Sequence, residues 1–275
     1  MHKILLDDFL KNVLREDIGH GDLYMRMPNV AEIEAYIVAR EDGILSGKVY
    51  IERLCELLGI ECHFTFDDSV GFKKNEKIVT FKGRMSEILS AERTILNLLE
   101  HSSGIATLTR KFVQKIEGTN CVLLDTRKTR PLLRDFEKYS TLNGGAVNHR
   151  LGLDDCLMLK DTHLTRILSL KKFVKDIRRK IPFTAKIEVE CENLLQAKEA
   201  LESQIDILMC DNMDVKTIKD IVRMRDSIAP NVLLEASGNI TLNNIQEYAN
   251  SGVDAVSAGA VIHQAVWIDL SMKID

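Results

Sequence analysis

From residue 122 to residue 259 the chain alternates short apolar runs with helical patterns, and this alternation limits the fold more than any other feature. The strand-like runs are 121–125, 156–160, 185–190, 205–210, 232–237 and 255–259. Helical periodicity fits between them at 131–143, 168–180, 193–202, 215–227 and 242–251. Nearly continuous apolar strands joined by helices imply a parallel sheet buried on both faces. Polar or small residues stand at the strand ends: Asp125, Lys160, Glu190, Asp211, Ser237 and Gly259. A barrel gathers such ends at one mouth, whereas an open sheet uses mainly its switch point.

The first hundred residues read differently. Apolar positions at helical spacing predict a helix over 3–17, ended by Gly19 to Asp22. Partial alternation predicts a strand over 31–39, and 48–58 reads as a helix closed by Gly59. Further strands are expected at 60–66 and 77–81, then helices at 86–99 and 104–116. This is a small α+β sandwich, a sheet covered by helices. Strict alternation returns at 267–274, with Ile268, Leu270, Met272 and Ile274 on one face. That tail is expected to pair antiparallel with the N-terminal sheet. The resulting division is residues 1–104 joined by a strand at 266–275, with the barrel at 105–265.

Between Asp125 and His163 lies a locally basic, glycine-broken stretch in a chain of formal net charge -4. Arg130, Arg134 and Lys138 recur at helical spacing beside Asp135 and Glu137 and read as a solvated helix face. Arg127, Lys128, Arg150 and Lys160 instead fall at or just past strand ends or a glycine turn, which suits an anionic small molecule. A pI near 6.0 and the lack of a long Lys/Arg run argue against nucleic-acid binding. No apolar run is long enough to span a bilayer, and the N-terminus has no signal-peptide pattern. The six cysteines form no C-x-x-C pair and read as reduced core residues. A soluble cytoplasmic protein is expected.

Two junctions, Ser237-Gly238-Asn239 and Ala258-Gly259-Ala260, stand where barrels often bind phosphate through backbone N–H groups. Taken singly each is as readily a tight turn; together they favour phosphate. Glu190 and Asp211 end neighbouring strands and offer only oxygen, which suits Mg²⁺, although Glu188 has the same parity as Glu190 and competes for the role. His263 reads as structural or as an aid to the phosphate site. Glu92-Arg93 reads as an ordinary surface pair.

The motifs DTRKT (125–129), GGAVNHR (144–150) and LKDTH (159–163), in this order, resemble the signature of the quinolinate phosphoribosyltransferases. The likeness extends through Gly19–Asp22, Ala91–Asn97, Glu188–Glu190, Cys210–Asn212, Glu235–Asn239 and Ser257–Ala260, essentially the whole chain. It departs at Arg130-Pro131-Leu132 (usually Thr-Pro-Gly), at Ala146 (usually Gly) and at Thr162 (usually Asn). The resemblance implies an incomplete, seven-stranded parallel β/α barrel of the type II phosphoribosyltransferase kind, with 146–151 as a source of the missing strand.

For chemistry, the resemblance implies transfer of phosphoribosyl from phosphoribosyl pyrophosphate to quinolinate, with decarboxylation to nicotinate mononucleotide. Arg127, His149, Arg150 and Lys160 would hold the dicarboxylate, with Arg93 entering from the other subunit of a homodimer; further assembly to a hexamer stays open. Lys128 would meet the pyrophosphate, and Ser237, Gly238, Asn239, Ala258, Gly259, Ala260 and His263 the 5-phosphate. Glu190 and Asp211 would serve the Mg²⁺ and ribose, with no tightly bound organic cofactor. Lys128, Lys160, Glu190 and Asp211 form the expected catalytic set. Two rival readings are a Schiff-base aldolase using Lys160 and a non-enzymatic binder of a phosphorylated metabolite.

Overall fold

The computed structural model describes residues 3–26 and 31–274. It forms two compact units: Met1–Arg110, Asp135–Gly145 and Ala265–Asp275 make the first, Lys111–Arg134 and Ala146–Gln264 the second. In chain order the elements up to the first unit's long helix are α1 (Lys3–Ile18), β1 (Glu32–Ala39), β2 (Gly43–Ile44), α2 (Lys48–Leu58), β3 (Glu61–Phe64), β4 (Gly71–Phe72), β5 (Lys77–Arg84) and α3 (Met85–Lys115). Then follow β6 (Val122–Leu124), α4 (Arg134–Gly144), β7 (Cys156–Leu159), α5 (Asp161–Leu164), α6 (Leu170–Ile177), β8 (Lys186–Cys191) and α7 (Leu194–Glu202). The chain ends with β9 (Ile207–Asp211), α8 (Val215–Ile228), β10 (Leu233–Ser237), α9 (Ile245–Ala249), β11 (Ala255–Ser257), α10 (Ala260–His263) and β12 (Leu270–Ile274).

In the first unit, alternation puts Ala35, Ile37 and Ala39 on the buried face of β1. The main sheet is antiparallel, in the order β12-β1-β5-β3. β12 is the alternating tail, with Leu270 opposite Ala39 and Ile274 opposite Ala35; Asp275, expected at its end, lies outside the described residues. Leu6, Leu10 and Leu14 of α1 share one core with Ile51 and Leu54 of α2 and Ile88, Ile95 and Leu99 of α3. Each such side chain contributes about 1.5–3 kcal/mol by leaving water.

Two expectations are corrected here. The helices predicted at 86–99 and 104–116 are one, α3. Gly104 does not break it; a Cβ there would lie 2.2 Å from the Val266 carbonyl oxygen, so the residue permits a close backbone approach. The face read as solvated is also partly wrong, because Glu137 and Lys138 of α4 are buried. Phe136 packs at 4.7 Å from the Tyr50 ring and carries its neighbours inward, where Glu137 meets His101 at 2.9 Å.

The second unit is built on a six-stranded parallel sheet in the order β6-β11-β10-β9-β8-β7. Consecutive strands from β7 to β11 are neighbours, and the last of them lies beside the first strand, β6. That is the order of a barrel opened between β6 and β7. The expected seventh strand over 146–151 shrinks to a single bridge, Val147 with Leu124. It stops because the buried Asp125 carboxylate accepts from His149 N–H at 2.9 Å and from Asn148 Nδ2 at 2.6 Å, so a side chain takes a donor that a continuing ladder would use. Odd positions Ile187, Val189 and Cys191 of β8 are buried along with Ala197, Ala200 and Leu201 of α7, leaving Glu188 and Glu190 on the opposite, interior face.

All six cysteines are free thiols, and no helix among the described residues is long and apolar enough to cross a membrane. Gly104→Ala is expected to cost about 1–3 kcal/mol by forcing Cβ against backbone. A thermal melt should then fall by roughly 2–12 °C; an unchanged melting temperature would contradict the close approach.

Candidate active site

Parity along parallel strands decides which side chains face the barrel interior. Met158, Glu190, Met209, Asp211, Glu235, Ser237 and Ser257 all sit on that face, and each lines one cavity of about 660 Å³ at the C-terminal mouth. Thr126, Arg127, Lys128, His149, Arg150, Lys160, Asn212, Gly238 and Asn239 complete its wall. The size suits a small polar ligand.

Asp125 sets the cationic side. It is fully buried at the end of β6, and its two carboxylate oxygens fix Asn148 and the His149 backbone. Arg127 and Lys128 follow it directly, where Thr126 Oγ1 accepts from Lys128 N–H at 3.0 Å. Arg150 comes in from the tethered loop and donates to the Cys156 carbonyl at 3.0 Å. Burial, then the positive charges of Arg150 and Arg134, lower the pKa of Arg127, and its buried Nε has no hydrogen-bond partner among the described residues. Cations held this close favour an anion between them.

His149 faces the other way. Its Nε2 lies 3.3 Å from Glu188 Oε1 and 3.2 Å from Glu235 Oε2, both buried, while Arg150 N–H donates to Nδ1 at 2.7 Å. Burial depresses the imidazole pKa, but the two carboxylates outweigh it and raise it. Burial likewise pushes Glu188 up. One ligand atom from each of the three residues lies within 4.8 Å of the others, a spacing that a metal ion would accept. With Arg150 N–H aimed at Nδ1, however, a proton on the Nε2 side satisfies the cluster already.

Lys160 Nζ pairs with Glu190 Oε2 at 2.5 Å across neighbouring strands β7 and β8. On the far side, the turn after β10 is locked by three asparagine bonds. Asn212 N–H donates to Ser237 O at 2.9 Å, Asn239 Nδ2 to Asn212 Oδ1 at 3.0 Å, and Asn212 Nδ2 to Asp211 Oδ2 at 2.8 Å. Gly238 has φ +95°, and a Cβ on it would sit 2.3 Å from Asn212 Oδ1, so only glycine fits. At the next junction a Cβ on Gly259 would come 3.0 Å from Lys128 Cδ and 3.3 Å from both His263 Cδ2 and Thr126 Oγ1.

Residues 22–103 match the N-terminal domain of quinolinate phosphoribosyl transferase and residues 105–273 its C-terminal domain. A probable carboxylating nicotinate-nucleotide pyrophosphorylase of Synechocystis sp. is 39% identical over 274 residues, covering 98% of this chain and 93% of that one. The Mycobacterium leprae nicotinate-nucleotide pyrophosphorylase [carboxylating] is 34% identical, covering 97% and 96%. A solved Francisella tularensis nicotinate-nucleotide pyrophosphorylase superposes with a TM-score of 0.92 at 33% identity, covering 100% of this chain and 98% of that one. The chain belongs to the quinolinate phosphoribosyl transferase family.

Of the family positions singled out in the sequence, Arg127, Lys128, His149, Arg150, Lys160, Glu190, Asp211, Ser237, Gly238 and Asn239 come together in the mouth. Ala258 and Ala260 are buried beside Gly259, and His263 is exposed at the end of α10. Arg93 is exposed on α3 in the first unit and does not line this cavity. Glu188, weighed against Glu190, is not in the lining; it lies deeper, on His149. Thr126, Met158, Met209, Asn212, Glu235 and Ser257 had no assigned role in the sequence, although strand parity points Met158, Met209, Glu235 and Ser257 inward. Among the family departures, Leu132 holds φ +65° at a turn closed by Leu133 N–H to Arg130 O at 3.2 Å, a conformation that favours glycine. Asp125→Ala removes a charged acceptor from the Asn148–His149 loop. It should cost about 2–4 kcal/mol in a denaturant titration, and a loss under half a kcal/mol would refute the tether.

Proposed function

We propose that the mouth transfers phosphoribosyl from phosphoribosyl pyrophosphate to quinolinate, releasing pyrophosphate and CO₂ and forming nicotinate mononucleotide for NAD synthesis. The observation that carries this reading is the pair Arg127 and Arg150, crowded against like charge and facing a cavity closed at its opposite wall by a glycine-dependent turn. Guanidinium forks bind carboxylates bidentately, so two of them suit a vicinal dicarboxylate. Lys160 adds a third cation, and His149 lines the same cavity.

Ser237, Gly238 and Asn239, which line the cavity, would present backbone to the 5-phosphate together with Ala258, Gly259 and Ala260 at the next junction, where exposed His263 ends α10. Lys128 lies against Gly259, where it would meet the pyrophosphate. Glu190 and Asp211 offer only oxygen donors, and the residues fit Mg²⁺. When bound, that ion supplies positive charge to the leaving pyrophosphate.

The chain's own groups do the positioning. The C–O bond at the anomeric carbon breaks, with its electron pair leaving on pyrophosphate toward Lys128. The pyridine nitrogen, oriented by Arg127 and Arg150 on the two carboxylates, forms the new C–N bond. The ring nitrogen then carries positive charge, which stabilises the carbanion left on the adjacent carbon when its carboxylate departs as CO₂; a proton then takes up that carbon's electron pair in the carboxylate's place. No covalent enzyme intermediate is needed. A Schiff base at Lys160 would have to break the contact its Nζ makes with Glu190 Oε2, which speaks against the aldolase reading.

Exposed Arg93 fits a homodimer in which a second copy contributes that side chain to the mouth. A cytoplasmic setting suits the free cysteines and the pathway.

The decisive assay mixes the protein with quinolinate, phosphoribosyl pyrophosphate and Mg²⁺ and follows nucleotide and CO₂. Equal formation of both is expected, with losses of about 10²–10³-fold in folded Arg150→Ala and Lys160→Ala. Product from nicotinate but not quinolinate would refute the dicarboxylate clamp. Gly238→Ala should weaken inorganic phosphate binding about tenfold or more by breaking the Asn212–Asn239 lock; calorimetry showing unchanged affinity would remove that turn from the phosphate site.

A further inference from the structure

Two polar atoms in the mouth are left over by this chemistry. Glu235 is 2% exposed; its Oε2 holds His149 at 3.2 Å, while its Oε1 is buried without a hydrogen-bond partner among the described residues. Ser257 is 3% exposed on the neighbouring strand, and its Oγ is likewise buried without a partner among the described residues. Both side chains line the mouth cavity. A buried unpaired polar group costs about 1–3 kcal/mol, and a carboxylate oxygen more, so two together ask for a ligand that answers both.

Quinolinate does not. It brings two carboxylates and a ring nitrogen, none of which donates to Glu235. The sugar of the donor does, since it carries hydroxyl donors and becomes positively charged when pyrophosphate leaves. Position agrees. Glu235 lies two residues before Ser237 on the same face of β10, roughly 6–7 Å deeper along the strand than the phosphate turn. That is the scale of a sugar reaching down from its 5-phosphate. His149, on the clamp side, holds the carboxylate so that it cannot swing away.

We propose that the phosphoribosyl sugar rests between Glu235 as the floor and Ser257 on the neighbouring strand, two residues higher at the level of Ser237, with the Glu235 carboxylate stabilising the positive charge that develops at the carbon losing pyrophosphate. Glu235 forms no bond and gives up no proton; it acts through fixed charge in a site where water is largely excluded. Ser257 contributes a hydrogen bond to a sugar oxygen. The inference rests on the phosphoribosyl reading of the mouth and adds two residues to it.

Calorimetric titration separates the two. The probes are ribose 5-phosphate and the 5-phosphate of 1,4-dideoxy-1,4-iminoribitol, in which a protonated amine replaces the ring oxygen. Wild type is expected to bind the cationic probe at least about tenfold more tightly. Glu235→Gln keeps an oxygen for His149 Nε2–H and should bind ribose 5-phosphate within about threefold of wild type while losing the cationic preference. Glu235→Asp, which keeps the charge but withdraws it, should retain part of the preference and carries the test if the glutamine variant does not fold. Ser257→Ala should weaken both probes about five- to tenfold. A cationic preference that survives Glu235→Gln overturns the proposal, as does unchanged binding in Ser257→Ala. Equal binding of both probes by wild type overturns the charge role and leaves the phosphoribosyl reading standing. Binding of neither probe overturns both.

Discussion

The mouth depends on one buried carboxylate that never faces it. Asp125 ends β6 and accepts from the Asn148 side chain and the His149 backbone, and so ends the strand pairing that Val147 begins. Had the ladder continued, the loop could not have turned His149 and Arg150 into the cavity as it does. The opened seam of the barrel and the placement of the clamp are therefore consequences of the same two hydrogen bonds. This also explains why a fully buried acid is worth keeping at the end of a strand: its cost in desolvation is offset by bonds that fix a functional loop.

Charge in the mouth is layered. Arg127 and Arg150 share one side, where burial and then the neighbouring positive charge depress the pKa of Arg127, whereas Glu188 and Glu235 lie beneath, around the His149 ring. An all-cationic pocket would bind a dicarboxylate and a polyphosphate well, but equally well before and after reaction. Uniform binding of that kind does not accelerate chemistry. In the proposed reaction, a carboxylate beneath a cationic clamp would favour the sugar cation over the neutral sugar while the clamp holds the anions.

Much of this was legible in the sequence, for stated physical reasons. The six parallel strands, the helices between them and the returning tail strand followed from apolar periodicity, because burial on two faces or one imposes those periods. The meeting of Arg127, Lys128, Arg150, Lys160, Glu190 and Asp211 followed from their places at strand ends. What failed was context that periodicity does not carry. Helical periodicity lapses over 100–103 and restarts at Gly104, yet α3 runs straight through, and the passage of Val266 against it explains the glycine. Lys138 looked solvated because charge is a poor guide when Phe136, two residues earlier, is drawn into a core. Glu235 stood inside a quoted motif and had the inward parity of Ser237, but its role becomes visible only when His149 is seen across the barrel from it.

The same parity explains why the site can be rich in charge without destabilising the second unit. Along β8, Ile187, Val189 and Cys191 face the helices while Glu188 and Glu190 face the interior, so the apolar layer that holds the fold and the polar layer that holds the chemistry never compete for one position. β9 and β10 repeat the arrangement: Leu208 and Cys210 against Met209 and Asp211, Leu234 and Ala236 against Glu235 and Ser237. A substitution on the outer set acts on packing, and one on the inner set acts on the ligand. The exceptions are two buried acids, Glu188 on the inner face of β8 and Asp125 on the outer parity of β6, and both act by holding the His149 segment in place.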